Sequence, residues 1–190
     1  MKKLLMIAAV FLLAITAACS QDSEGTEDKK SEETNTEETG TENETSEEEL
    51  KVALLNFQSE VVDVLQAHQG PFNEFQASKE TYLDEEAEEK PTTEELEALK
   101  KAAEEEGPKA AEAIRSISIP SELSKYEEEM KTALEDAAAS YEKRAESLTI
   151  EASEDAQAEA DELFASFEEK MGKAFEDLGL TAPSFSAELS

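Results

Sequence analysis

A single cysteine, a single histidine and no tryptophan stand among the 190 residues. One cysteine excludes an intramolecular disulfide framework and any zinc site built from several thiolates. One histidine excludes the two Glu-x-x-His pairs of a carboxylate-bridged di-iron bundle; the residue three before His68 is Leu65 rather than glutamate. A Cys-x-x-Cys-His haem-attachment site, a glycine-rich phosphate loop, a calcium loop and a nucleophile elbow are missing too. Basic residues are few: 17 against 48 acids, for a formal charge of −31. That charge repels nucleic acid and anionic membrane surfaces, so neither is expected as a direct electrostatic partner. With so many acids some carboxylate pair is always close, so no pair is assigned acid–base work. The expectation is a non-enzymatic protein with no catalytic residue, no metal and no cofactor.

What is present begins with an address. Lys2 and Lys3 precede an unbroken apolar run of twelve residues, Leu4 to Ile15, and the small residues Thr16, Ala17 and Ala18 follow. This order of positive flank, apolar centre and small residues is that of a secretory signal over residues 1–18. A membrane-spanning helix needs about 20 apolar residues, and the chain turns polar after Ala18. The only cysteine, Cys19, sits immediately after the small residues. Over Ile15, Thr16, Ala17, Ala18 and Cys19 the sequence resembles the lipobox of bacterial lipoproteins, with Thr16 where that family usually has leucine. The resemblance implies a diacylglyceryl group on the Cys19 thiol and cleavage between Ala18 and Cys19. One acyl chain binds a membrane only marginally, at about 0.8 kcal/mol per buried CH₂, whereas two chains hold it stably. The lipid on Cys19 would thus be the whole anchor. By the same analogy, Ser20 in place of aspartate does not favour retention at a Gram-negative inner membrane. The implied location is the extracytoplasmic face of a cell membrane, at a Gram-positive surface.

Residues 19–46 read as a tether. Ser20 to Glu49 contains no apolar residue and holds thirteen acids against two lysines. Such a segment cannot bury enough surface to offset its chain entropy, so disorder is expected. Its reach is about 30 Å as a flexible coil and about 100 Å at full extension. Asn43-Glu44-Thr45 matches a glycosylation triplet and is read as chance.

Residues 47–180 are expected to form an all-α domain, an antiparallel bundle of about four long helices. Ser46 with Glu49 makes a capping box. Leu50, Leu54, Phe57, Val61, Val64 and His68 then recur at helical spacing, widened by Val62 and Leu65. Phe75 and Tyr82 keep the phase through Gly70-Pro71, which predicts a kinked helix continuing to about Glu88; a true turn is the alternative. A second capping box, Thr92 with Glu95, starts a helix through Leu96, Leu99, Ala103, Ala110, Ile114 and Ile117, again across a Gly-Pro pair at 107–108. Ser121 is expected to cap the third helix, with Leu123, Tyr126, Met130, Leu134, Ala137, Tyr141, Ala145 and Leu148 inward. Residues 149–153 form a turn. The fourth helix carries Ala160, Leu163, Phe164, Phe167, Met171 and Phe175 and stops at Gly179, with Leu180 folding back. Residues 181–190 are expected to fray.

His68 lies on the apolar stripe beside the first Gly-Pro pair. It is either a core-edge imidazole bonded to a freed backbone carbonyl or a cofactor or metal ligand with Met130 or Met171 opposite. Tyr82, Tyr126 and Tyr141 read as packing residues rather than a binding cluster. The acidity extends past the tether, with 35 acids and 13 bases from Leu50 onward. That spread favours adaptation to a salty or alkaline habitat over collection of cations or basic partners. The functional expectation is a lipid-anchored protein whose helical domain binds a protein, peptide or cell-envelope component. The alternative is a cofactor- or metal-binding bundle using His68.

Overall fold

Ser46 opens the first helix as its sequence predicts. Its Oγ accepts from the Glu49 amide at 3.3 Å, and Glu49 Oε2 accepts from the Ser46 amide at 2.9 Å. The computed structural model describes residues 46–153 and 155–189; the leader, Cys19 and the tether lie outside the described residues. Helix α1 runs Glu47–Leu83, α2 Thr93–Arg115, α3 Glu127–Glu146, α4 Ala158–Asp177 and α5 Phe185–Glu188. No strand occurs among the described residues.

Pro71 and Pro108 both sit inside continuous helices, so neither Gly-Pro pair is a turn. The residue before each proline explains this. Proline removes one hydrogen bond and crowds the carbonyl four residues back, but the added clash of its ring with the preceding Cβ is spared at Gly70 and Gly107. Gly107 has a second duty. A Cβ there would lie 2.4 Å from the Ala145 Cβ and 2.9 Å from the Tyr141 carbonyl, so α2 and α3 cross where only hydrogen fits. α1 stops five residues short of the expected Glu88. Asp84 Oδ1 accepts from the Glu86 amide at 2.9 Å, a local turn that competes with helical bonding in this run of like charges.

Successive helices pack antiparallel. Tyr82 meets Thr93, Arg115 meets Glu135 and Ser140 meets Ala160. Leu54, Phe57, Val61, Leu65, Phe72 and Phe75 of α1 are fully buried and share one core with Leu96, Ile114, Met130, Phe167 and Met171. Each large side chain contributes about 1.5–3 kcal/mol by leaving water. Alanines at 103, 110, 133, 137, 138 and 145 fill the remainder and let the helices approach closely. Val64 and His68, expected on the core stripe, are half-buried, and Phe72 takes the inner position between Leu65 and Phe75.

Two further boundaries differ from expectation. Ser121 does not cap α3: residues Ser121–Tyr126 form a 3₁₀ turn, and the Ser121 hydroxyl donates to Glu122 at 3.2 Å. The tail does not fray as far as Leu189. Gly179, at φ 69°, closes α4 with bonds from Gly179 to Glu176 (2.9 Å) and from Leu180 to Phe175 (2.8 Å). The chain then turns back, and Phe185 is wholly buried with its ring 4.7 Å from that of Phe167. The aromatic anchor outweighs the polar composition around it. Gln66 Nε2 also donates to the Glu188 carbonyl at 3.0 Å, fastening the tail across α1.

Candidate functional site

The four long helices do not close evenly. α1 packs on α2, α2 on α3 and α3 on α4, but α1 and α4 barely touch. Between them lies a cleft of 570 Å³, floored by α3 and flanked at one end by α5. The residues that build it follow from helical spacing: Gln69, Phe72, Asn73 and Gln76 lie on one face of α1, and Tyr141 and Arg144 on one face of α3, with Leu148 just past its end.

Tyr141 is the floor. Its ring meets Phe72 edge-on, with centroids 5.7 Å apart at 82°. Its hydroxyl donates toward the Leu65 carbonyl (3.3 Å) and Gln69 Oε1 (3.1 Å). Burial pushes its pKa up to about 12, partly offset by the nearby charge of Arg144. Arg144 is half-buried beside it. Nη1 donates to Gln69 Oε1 at 2.9 Å, and the guanidinium carbon stands 4.6 Å from the centre of the Phe72 ring. Among the described residues Arg144 joins no ion pair, although Asp161 and Glu168 line the same cleft. Glu168 accepts instead from the Ser186 amide and hydroxyl at 2.8 and 3.0 Å. Burial lowers the affinity of Arg144 for its proton, with Tyr141 and Asp161 acting in the opposite direction; an arginine stays charged regardless.

An amide ladder leads outward. Gln69 Nε2 donates to Asn73 Oδ1 at 3.0 Å. The Gln69 oxygen is thus taken by Tyr141 and Arg144, and the Asn73 oxygen by Gln69. What the Gln69–Asn73 pair leaves toward the opening is donor capacity, from the Asn73 amide nitrogen and the other guanidinium N–H groups, beside the Asp161 carboxylate on the α4 wall. On the α4 side, the buried Ser140 Oγ donates to the Ala160 carbonyl at 2.7 Å. The arrangement can hold and orient an acceptor.

The residues singled out in sequence lie elsewhere. His68 bridges α1 to α2: Nδ1 is 2.6 Å from Glu106 Oε1, and Lys109 Nζ is 3.1 Å from Glu106 Oε2. The partner is therefore a carboxylate and not a freed backbone carbonyl. The hydrogen bond from His68 holds the Glu106 carboxyl below its ordinary value, against a smaller upward effect of burial. Met130 and Met171 are buried in the core, and no cluster of three or more His, Cys, Asp or Glu placed to hold a metal occurs among the described residues. Tyr82, Tyr126 and Tyr141 fall at three levels: Tyr82 reaches Thr93, Lys125 caps the ring of Tyr126 at 4.8 Å, and Tyr141 forms the cleft floor. Ile15, Thr16, Ala17, Ala18 and Cys19 lie outside the described residues. Arg144 carries no motif; its one sequence signal is that it is an arginine on the inward face of an acidic helix, three residues after Tyr141.

Comparison with protein-family models, with curated proteins and with solved structures finds no match for this chain. The site must be judged on its geometry.

Proposed function

We propose that the protein is a lipid-anchored, extracytoplasmic binding module, fastened to the membrane through Cys19 and presenting the α1/α4 cleft to a peptide, protein or cell-envelope component. The single observation that carries the binding half is a half-buried guanidinium that, among the described residues, joins no ion pair in a chain of 48 acids. Leaving a charge partly out of water without a partner is costly, and the cost makes sense where a ligand supplies the missing partner. The anchoring half rests on the lipobox-like run ending at Cys19. No helix among the described residues is long and apolar enough to cross a membrane, so a covalent lipid would serve in its place.

Two experiments test the two halves. Cys19→Ala should move the protein from the membrane fraction to the medium or leave it unprocessed; unchanged fractionation removes the anchor. A photo-crosslinking residue at Gln76, on the cleft, should give a discrete adduct in intact cells, whereas one at the exposed Lys101 should not. Equal labelling from both positions, or none from Gln76, removes the binding role.

A further inference from the structure

The cleft's polarity specifies its occupant more narrowly than binding alone. On the ladder from Tyr141 to Asn73 the two amide oxygens already accept, and the donors that remain belong to Arg144 and the Asn73 amide. Such a site selects an acceptor, and a planar guanidinium beside an amide suits a planar, charged one. The neighbouring walls are apolar: Phe72, Phe164, Leu148 and Leu189 line the same cleft. Asp161 and Glu168 line the cleft as well, and their repulsion grows with each negative charge on a ligand. A phosphate dianion is therefore disfavoured and a monoanion favoured. Lysines such as Lys90 are no parallel, since an exposed ammonium is satisfied by water.

From this arrangement we infer that the α1/α4 cleft binds a monoanionic carboxylate carried on an apolar body, with Arg144 and Asn73 holding the carboxylate and Phe72 and Phe164 flanking the body. Two sources share that chemistry, a free small acid and the C-terminal end of a peptide. The inference rests on the reading of the bundle as a binding module and adds the class of ligand to it.

The test is titration of the purified full chain, in detergent, followed by calorimetry and by amide NMR shifts. The probes are N-acetyl-phenylalanine, its carboxamide, phenyl phosphate, and an N-acetylated tetrapeptide ending in phenylalanine. N-acetyl-phenylalanine should bind at least tenfold more tightly than its carboxamide and more tightly than phenyl phosphate, shifting amides of residues around 69–76 and 141–148. Tighter binding of the tetrapeptide assigns the site to a chain terminus; equal or weaker binding assigns it to a small acid. Arg144→Gln should weaken the acid at least tenfold. Because Arg144 also stacks on Phe72, the second variant is Asn73→Asp. That position is exposed, and the new side chain still accepts from Gln69 while removing the donor and adding repulsion, so it should abolish binding with the fold intact. Equal affinity for acid and carboxamide, tighter binding of phenyl phosphate, no binding of any carboxylate, or indifference to Asn73→Asp would each overturn the inference. A Gln76 crosslink in cells without carboxylate binding would leave the binding module standing and remove only the ligand class assigned to it.

Discussion

The chain has two arginines, and the bundle treats them oppositely. Arg115, at the end of α2, is bidentate to Glu135 (2.9 and 2.7 Å) and reaches Glu142 at 2.8 and 3.2 Å, both on α3. Those bonds, Glu135 first, raise its hold on its proton, while they lower the proton affinity of Glu135. A cleft of 590 Å³ lies beside it, about as roomy as the one at Arg144, but Lys131 there is paired as well, with Glu127 at 2.6 Å. The α2/α3 seam thus neutralises its own cations. The α1/α4 seam leaves its arginine facing a void. Volume is common to both places; among the described residues, an arginine outside any ion pair is found at one.

Four experiments break or sharpen this contrast. The largest effect should come from the aromatic group that seats α4 and α5 beside the open seam. Phe167 is buried between Phe164 (5.2 Å) and Phe185 (4.7 Å), and Phe167→Ala is expected to lower unfolding stability by about 3–5 kcal/mol. Urea melts would show it, and limited proteolysis should release the tail first.

Next comes the floor of the cleft. Tyr141 is 2 % exposed and has a folded pKa of about 12 against an ordinary 10.0. The folded protein therefore holds this proton more tightly, so stability is full below pH 10 and falls as the pH rises toward 12, by about 2–3 kcal/mol. Stability measured against pH should lose that component in Tyr141→Phe; identical slopes in the two proteins would refute it.

The closed seam should resist enlargement. Gly107→Ala gains about 1 kcal/mol of helix propensity, but its Cβ collides with Ala145 and with the Tyr141 backbone. A net loss of about 1–3 kcal/mol is expected, partly recovered in a double variant with Ala145→Gly. A stabilised Gly107→Ala would mean the α2/α3 crossing yields easily.

The smallest effect is the most diagnostic. Arg115→Met removes partly exposed ion pairs and should cost about 1 kcal/mol. Arg144→Met relieves burial of an unpaired charge as it loses one hydrogen bond and a ring contact, and should leave stability within about 0.5 kcal/mol. Residues serving a ligand commonly add little to folding. Denaturation midpoints compared side by side would show the difference, and equal losses would make the two arginines equivalent structural ions.

Much of the fold was legible because its signals are local. Both capping boxes form, the Glu127–Lys131 and Glu169–Lys173 pairs lie at 2.6 and 3.7 Å, and Gly179 ends α4 as a left-handed residue. Lys101 pairs in the opposite sense, standing 3.8 Å from Glu105 four residues further on. The misjudged places are those where a distant partner intervenes. Phe185 looks like a residue in a polar tail until Phe167 receives it. His68 looks like a stripe residue near a freed carbonyl until Glu106 arrives from α2. Arg144 carries only the signal of an arginine on an inward helical face, because its meaning lies in the ion pair it does not make among the described residues.

The amino-acid order alone determined that the domain is helical, where most helices begin and end, and which faces turn inward; periodicity, caps and glycine conformations are written within a few residues of one another. Tertiary structure alone decided which seams would close. The depth of approach between two helices depends on side chains dozens of positions apart, such as Gly107 against Ala145, and so does the company each charge keeps. One arginine met two glutamates and the other met an open cleft.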